Sequence, residues 1–139
     1  MDEIIFKESD LRSVVKKIID HCHDIKIITI SGTLGAGKTT LAIELLRQLG
    51  VEQEMQSPTY TYMQMYKNQI GRSFYHFDLY RLQKKEDFLF AGFDEFLYQP
   101  NALVIIEWPE IIESLLDSNV YRIALEYVDD ITRKIRSNF

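Results

Sequence analysis

Gly32, Gly37, Lys38 and Thr39 stand in the spacing Gly-x-x-x-x-Gly-Lys-Thr, and three of the chain's six glycines fall within residues 32–37. The chemistry that needs this arrangement is the holding of a nucleotide polyphosphate. Successive backbone N–H groups must point inward around the anion, with angles and close approaches that a β-carbon obstructs. A helix opening directly after the loop adds unpaired N–H groups and the positive end of its dipole. In this phosphate-loop pattern Lys38 reaches the β and γ phosphates as a point charge, and the Thr39 hydroxyl ligates Mg²⁺. Thr33, Leu34, Gly35, Ala36, Gly37 and Thr40 complete the expected cradle.

Phosphoryl transfer also calls for a carboxylate at the end of a neighbouring buried strand, bound to Mg²⁺ directly or through water. The run ALVIIEW supplies Glu107 at that place, with Trp108 beside it. Asp78, closing FYHFD, is a second candidate, near the metal or the attacking water. Lys38, Glu107 and Asp78 are therefore the expected catalytic set, and Thr39 and Glu107 the expected metal ligands. No [NT]-K-x-D stretch of the guanine-reading kind occurs, so ATP is the expected nucleotide. His21 and His23 flank Cys22, but their spacing at a helix end does not put both on one face, and no second ligand pair follows. His76 receives no assignment from spacing.

The elements that must position these residues can be read from periodicity. IKIITIS (25–31) and ALVII (102–106) are apolar and rich in β-branched residues, as strands buried on both faces are. Residues 38–49 read as a helix with Ala42, Leu45, Leu46 and Leu49 inward, ended by Gly50. Upstream, Leu11, Val14, Val15, Ile18, Ile19 and Cys22 form one helical stripe, with Ser9 or Asp10 as N-cap and Cys22 as a buried thiol. Residues 4–7 read as a short strand. The aromatic-rich stretches 59–66 and 74–80 read as strands around a KNQIGR turn, and 86–98 as a helix broken near Gly92. A helix carrying Ile111, Ile112, Leu115 and Leu116 is expected next, then YRIALEYV and ITRKIRS as a hairpin turning at Asp129-Asp130. Strands alternating with helices give an α/β fold, with residues 1–139 as one domain.

Composition narrows the function classes. With 46% hydrophobic and 12% aromatic residues in 139, the chain can bury one core. No apolar run approaches the roughly 18 residues of a membrane span. The acidic opening MDEIIFKESD lacks the layout of a secretory signal, and one cysteine suits a reducing compartment, so a cytoplasmic location is expected. Sixteen basic against 21 acidic residues give a net charge of −5, which disfavours autonomous nucleic-acid binding. A small nucleotide or nucleoside kinase would add an arginine-bearing lid and an acceptor pocket, for which the chain offers few residues. A nucleotide-dependent binding module with negligible hydrolysis differs from an ATPase only in turnover.

GTLGAGKTT, SPTYTYMQMY, HFDLYRL and IIEWPE occur in that order, and together they resemble the bacterial TsaE family, formerly YjeE, over roughly residues 5 to 130. The resemblance implies a P-loop NTPase fold with a mostly parallel central sheet flanked by helices. It implies the Mg²⁺-dependent ATPase of tRNA threonylcarbamoyladenosine biosynthesis, weak alone and stimulated by partners. Those partners are a threonylcarbamoyl transferase subunit and its paralogous companion, with tRNA met only indirectly through the complex. ATP binding and hydrolysis are expected to reset that complex between cycles. Ser57, Pro58 and Thr59 correspond to a switch loop, with Thr61 in the same motif. Asp78 matches a functionally important aspartate, and Glu107 and Trp108 match the strand-ending pair. Tyr80 and Arg81 match without an assigned role, although Arg81 is a conceivable arginine finger. Thr33 stands where many members carry an acid, and Tyr60 replaces a more usual Phe.

Overall fold

The apolar runs form the centre of one seven-stranded sheet in the computed structural model, which describes residues 2–138. The strands are β1 (Asp2–Lys7), β2 (Ile27–Ser31), β3 (Met63–Lys67), β4 (Ser73–Asp78), β5 (Ala102–Glu107), β6 (Tyr121–Asp129) and β7 (Thr132–Ser137). Their spatial order is β1-β7-β6-β2-β5-β4-β3. The middle strands β6, β2, β5 and β4 are mutually parallel, whereas the pairs β1–β7, β6–β7 and β3–β4 are antiparallel. The fold is thus α/β, as expected.

Both faces of the middle strands are covered. Ile28, Ile30, Leu103 and Ile105 pack with α1 (Leu11–Asp20) and α2 (Lys38–Gln48) through Val14, Ile18, Leu41 and Leu45. Ile27, Val104 and Ile106 face the other way, against Phe88 of α3 (Lys85–Phe90) and Ile112 of the 3₁₀ segment Pro109–Leu115. Alternate side chains of one strand therefore enter two cores, which is why these strands read as unbroken apolar runs. Burying each such side chain is worth about 1.5–3 kcal/mol. The order of insertion matters for function. The chain leaves β2 through α2, forms β3 and β4, and only later slips β5 between β2 and β4. Ile30 and Asp78 both lie opposite Glu107, so three strands end at one level.

Several expectations change in detail. Residues 59–62 are turn rather than strand: the Tyr62 N–H closes onto the Pro58 carbonyl at 2.7 Å, and Tyr62 takes a left-handed φ of 66°. Strand β4 ends at Asp78, not at 80. The helix expected around 111–116 is instead a 3₁₀ segment, Pro109–Leu115, which Pro109 opens and which stops at Leu115. Residues 86–98 divide into α3 and the 3₁₀ turn Phe93–Phe96, broken at Gly92. Helix α1 ends at Asp20, so Cys22 lies past it, only partly buried at the core's margin. Neither Ser9 nor Asp10 caps that helix with its side chain, because a 3₁₀ turn, Glu8–Asp10, leads directly into it.

Candidate functional site

The glycine-rich loop bridges the end of β2 and the first turn of α2, at the level where β4 and β5 finish. Two glycines are required sterically. A β-carbon on Gly32 would overlap the Leu125 carbonyl oxygen of β6, and Gly37 enters α2 at φ 102°, in the left-handed region. The loop lies that close to the sheet because nothing projects from Gly32.

Lys38 opens α2 yet is almost wholly buried. Its Nζ donates to the carbonyls of Gly32 at 2.9 Å and Thr33 at 2.7 Å, and lies 4.1 Å from the centroid of the Trp108 ring. Burial pulls its pKa below the usual lysine value, while the carboxylates of Glu107, Asp78 and Glu110 pull the other way. The loop folds around a cation that several acids face.

Thr39, one residue on, donates its hydroxyl to Glu107, 2.9 Å from Oε1 and 3.0 Å from Oε2. Glu107 ends β5 and is 2% exposed. Its Oε2 also lies 2.6 Å from Nε2 of His76. Asp78 ends β4 next door; its Oδ2 accepts from the Thr59 hydroxyl at 3.1 Å and its Oδ1 from the Tyr80 N–H at 3.0 Å. The hydroxyls of Ser57 and Thr59 are 2.7 Å apart, so the 57–59 segment is tied to Asp78. Trp108 holds φ 56° and ψ 58°, an uncommon conformation for a bulky aromatic, with its ring 4.8 Å from that of Tyr80.

Lys38, Thr39, Thr59, Asp78, Tyr80, Glu107 and Trp108 line one cavity of about 490 Å³, together with Leu34, Gly35, Gly37, Thr40 and Arg81, while His76 stands buried behind Glu107. Of the expected cradle, Ala36 turns its methyl into the core, and its carbonyl accepts from Arg133 Nε at 2.9 Å. Thr33 offers its carbonyl to Lys38 instead of a side chain to the cavity. Another cleft, of about 580 Å³ near Cys22 and Arg72, gathers no comparable set of converging acids and cations. His21 and His23 are apart from the site, and the His21 ring bonds the Lys17 carbonyl.

Three relationships escape sequence reasoning: His76 with Glu107, Thr59 with Asp78, and Arg133 with Ala36. A signal for the first is present in FYHFD. Period two puts His76 and Asp78 on the face of Phe74, the side on which α2 packs.

The family model for TsaE, threonylcarbamoyl adenosine biosynthesis protein TsaE, matches residues 5–135, nearly the whole chain. The chain belongs to the TsaE family. Among its TsaE relatives, the tRNA threonylcarbamoyladenosine biosynthesis protein TsaE of Haemophilus influenzae is 36% identical over 110 residues, 79% of this chain and 68% of the relative. Its counterpart in Rickettsia felis is 34% identical over 131 residues, 94% and 75% of the two chains. That of Treponema pallidum is 35% identical over 109 residues, 78% of each. In fold the chain resembles the crystal structure of Bacillus subtilus YdiB, with a TM-score of 0.71 at 22% identity, covering 98% of this chain and 84% of that one. The TsaE match reaches past β6 into β7 and takes in Arg133, beyond the stretch that the four motifs cover. Among the described residues, no helix is long and apolar enough to cross a membrane.

Proposed function

We propose that this chain is a Mg²⁺-dependent ATPase with the P-loop NTPase fold, acting in tRNA threonylcarbamoyladenosine biosynthesis as its relatives' names indicate. The observation that carries the reading is the convergence of Lys38, Thr39, Glu107 and Asp78 on one cavity at the ends of β2, β4 and β5. A ligand crevice at the carboxyl ends of parallel strands is the usual place in open α/β sheets. The whole chain works as one domain, in the cytoplasm.

The donor set suits a hard divalent cation that keeps most of its ligands from water and phosphate. A hydroxyl and a carboxylate stand together in Thr39 and Glu107, and no cluster of three or more His, Cys, Asp or Glu occurs among the described residues. Mg²⁺ held there neutralises the phosphate charge that builds during transfer. Lys38 exchanges the loop carbonyls for phosphate oxygens. Asp78 accepts a hydrogen bond from the attacking water and orients it, and through Thr59 it couples the nucleotide to the 57–61 segment.

The base has a place as well. Gly37 and Thr40 line both the phosphate cavity and a smaller one of about 160 Å³, walled by Phe6, Leu11, Leu41 and Leu125 and bounded by Arg133. An adenine extending past Thr40 would be covered there by apolar side chains, one of them aromatic. In competition for one labelled adenine nucleotide, ATP should displace it at lower concentration than GTP. Equal or better competition by GTP contradicts the base assignment.

The partners are a threonylcarbamoyl transferase subunit and its paralogous companion, and tRNA is met through them. Turnover by this chain alone is slow. Phosphate release from Mg-ATP, lost in Lys38→Ala, tests the enzymatic reading. Binding without any release, with or without those partners, would leave a nucleotide-dependent binding module.

A further inference from the structure

His76 is a histidine set in the middle of an apolar strand, flanked by Tyr75 and Phe77 and wholly buried. Burying an imidazole is costly unless its polar atoms find partners, by about 1–3 kcal/mol for each group left unpaired. Yet Nδ1 has no hydrogen-bond partner among the described residues, and the ring's one polar contact goes to Glu107. A leucine or phenylalanine would fill the same space without that cost. What the histidine supplies, and they cannot, is an N–H aimed at Glu107.

The bond fixes the tautomer. With Glu107 Oε2 at 2.6 Å, Nε2 carries the hydrogen, since a hydrogen on Nδ1 would face no acceptor among the described residues. A glutamate has three rotatable side-chain bonds, and ordering a freely moving one costs on the order of 1.5–2 kcal/mol. Here His76 takes Oε2 from β4 while the Thr39 hydroxyl spans both oxygens from α2. Held from two directions, the carboxylate plane cannot turn. Among the described residues, Oε1 then has Thr39 as its one hydrogen-bond donor and keeps lone-pair capacity toward the cavity that Glu107 lines.

We infer that His76 is a positioning residue: its Nε2–H holds the Glu107 carboxylate so that Oε1 and the Thr39 hydroxyl meet Mg²⁺ together. This rests on the assignment of Glu107 and Thr39 to the metal. Hydrogen-bond partners of metal-ligating side chains typically change metal affinity or activity by about 10- to 100-fold when removed. His76 acts through Glu107, so its loss weakens the metal's contribution and leaves the phosphate contacts of Lys38 in place.

The test is calorimetric titration of ADP into the full chain across a Mg²⁺ series and in excess chelator, with cooperative melting required of every variant. His76→Phe keeps ring volume in an apolar strand and deletes the N–H; His76→Leu replaces it if the larger ring does not fold. Either should lower the apparent Mg²⁺ affinity of the ADP complex by about 10- to 100-fold, with metal-free ADP affinity changed less than about twofold. His76→Gln, which restores an N–H at similar reach, should recover part of the loss. Wild-type Mg²⁺ dependence in the apolar variant, or no recovery by Gln, overturns the positioning role. Glu107→Gln separates the two ideas: if it too keeps full Mg²⁺ dependence, the metal assignment itself is wrong.

Discussion

The Thr39 hydroxyl lies 2.9 and 3.0 Å from the two carboxylate oxygens of Glu107, joining the first turn of α2 to the last residue of β5 across 68 positions of sequence. The glycine-rich loop and the sheet end are thereby tied into one site. If that site holds Mg-ATP, ground-state contacts and transition-state contacts should separate by mutation. Lys38→Ala and Thr39→Ala should weaken Mg-ATP binding by roughly 10- to 150-fold, the equivalent of about 1.5–3 kcal/mol for a charge-assisted contact. Asp78→Ala should bind nearly as wild type and turn over more slowly, because orienting water matters only as the bond breaks. Binding isotherms beside single-turnover rates distinguish the two classes. Lost binding in Asp78→Ala with normal hydrolysis of whatever ATP is bound would exchange the roles.

Trp108 is the chain's only tryptophan, and its ring lies 4.1 Å from the Lys38 ammonium. Phosphates that draw Lys38 away from the Gly32 and Thr33 carbonyls change the charge over the indole. Titration with Mg-ATP should therefore shift tryptophan emission and saturate with the calorimetric affinity. Flat emission alongside measurable binding would put the nucleotide away from Lys38 and Trp108.

Arg133 ties the carboxyl-terminal hairpin to the loop. Its guanidinium donates to the Ala36 carbonyl at 2.9 Å and to the carbonyls of Asp129 and Thr132, and pairs with Glu8 at 2.7 Å. Removing it leaves a buried carbonyl without its donor, at about 1–3 kcal/mol. Arg133→Met should lower the melting temperature by several degrees and weaken nucleotide binding, and Arg133→Lys should restore little because a point charge cannot match the fork. An unchanged melting curve would show that the loop holds its shape unaided.

Cys22 gives a pH signature. Burial pushes its thiol up from 9.0 to about 12, against the opposing pull of Arg72. Between these values the unfolded chain loses the proton and the folded chain keeps it, so stability falls as pH rises from about 9 to about 12. Cys22→Ala should flatten that part of the stability curve. Iodoacetamide should also modify the native thiol at pH 8 at least about a hundredfold more slowly than the unfolded one, following the thiolate fraction. Equal rates would mean that the thiol is accessible and ordinary.

What the sequence makes legible here is what is local. Gly32 to Thr39 is one contiguous pattern, and Glu107 and Asp78 are visible because each ends an apolar run. The hairpin at Asp129 is similarly short-range, with its carboxylate accepting from the Ile131 N–H. Register is not local. His76 meets Glu107 only because β5 enters between β2 and β4 with His76 opposite Ile105, a pairing that strand composition does not encode. Arg133 and Ala36 are 97 residues apart and share no motif. Residues 59–62 have strand-like composition, but Pro58 brings no N–H to a ladder and Tyr62 turns left-handed, so the chain bends toward Asp78 instead. That bend is what delivers Thr59.

The most direct test is reconstituted, multiple-turnover modification of tRNA with the transferase subunit, its companion, this chain and Mg-ATP, with phosphate release followed in parallel. A P-loop enzyme can be accelerated by about 10³–10⁵-fold when a partner completes its site, so a large effect of the partners is physically accessible. Phosphate release by this chain alone should be slow, release with both partners faster, and modification should stall after one cycle when the chain is omitted or carries Asp78→Ala. Sustained cycling without this chain, or with its ATP hydrolysis abolished, would contradict the expected resetting of the complex.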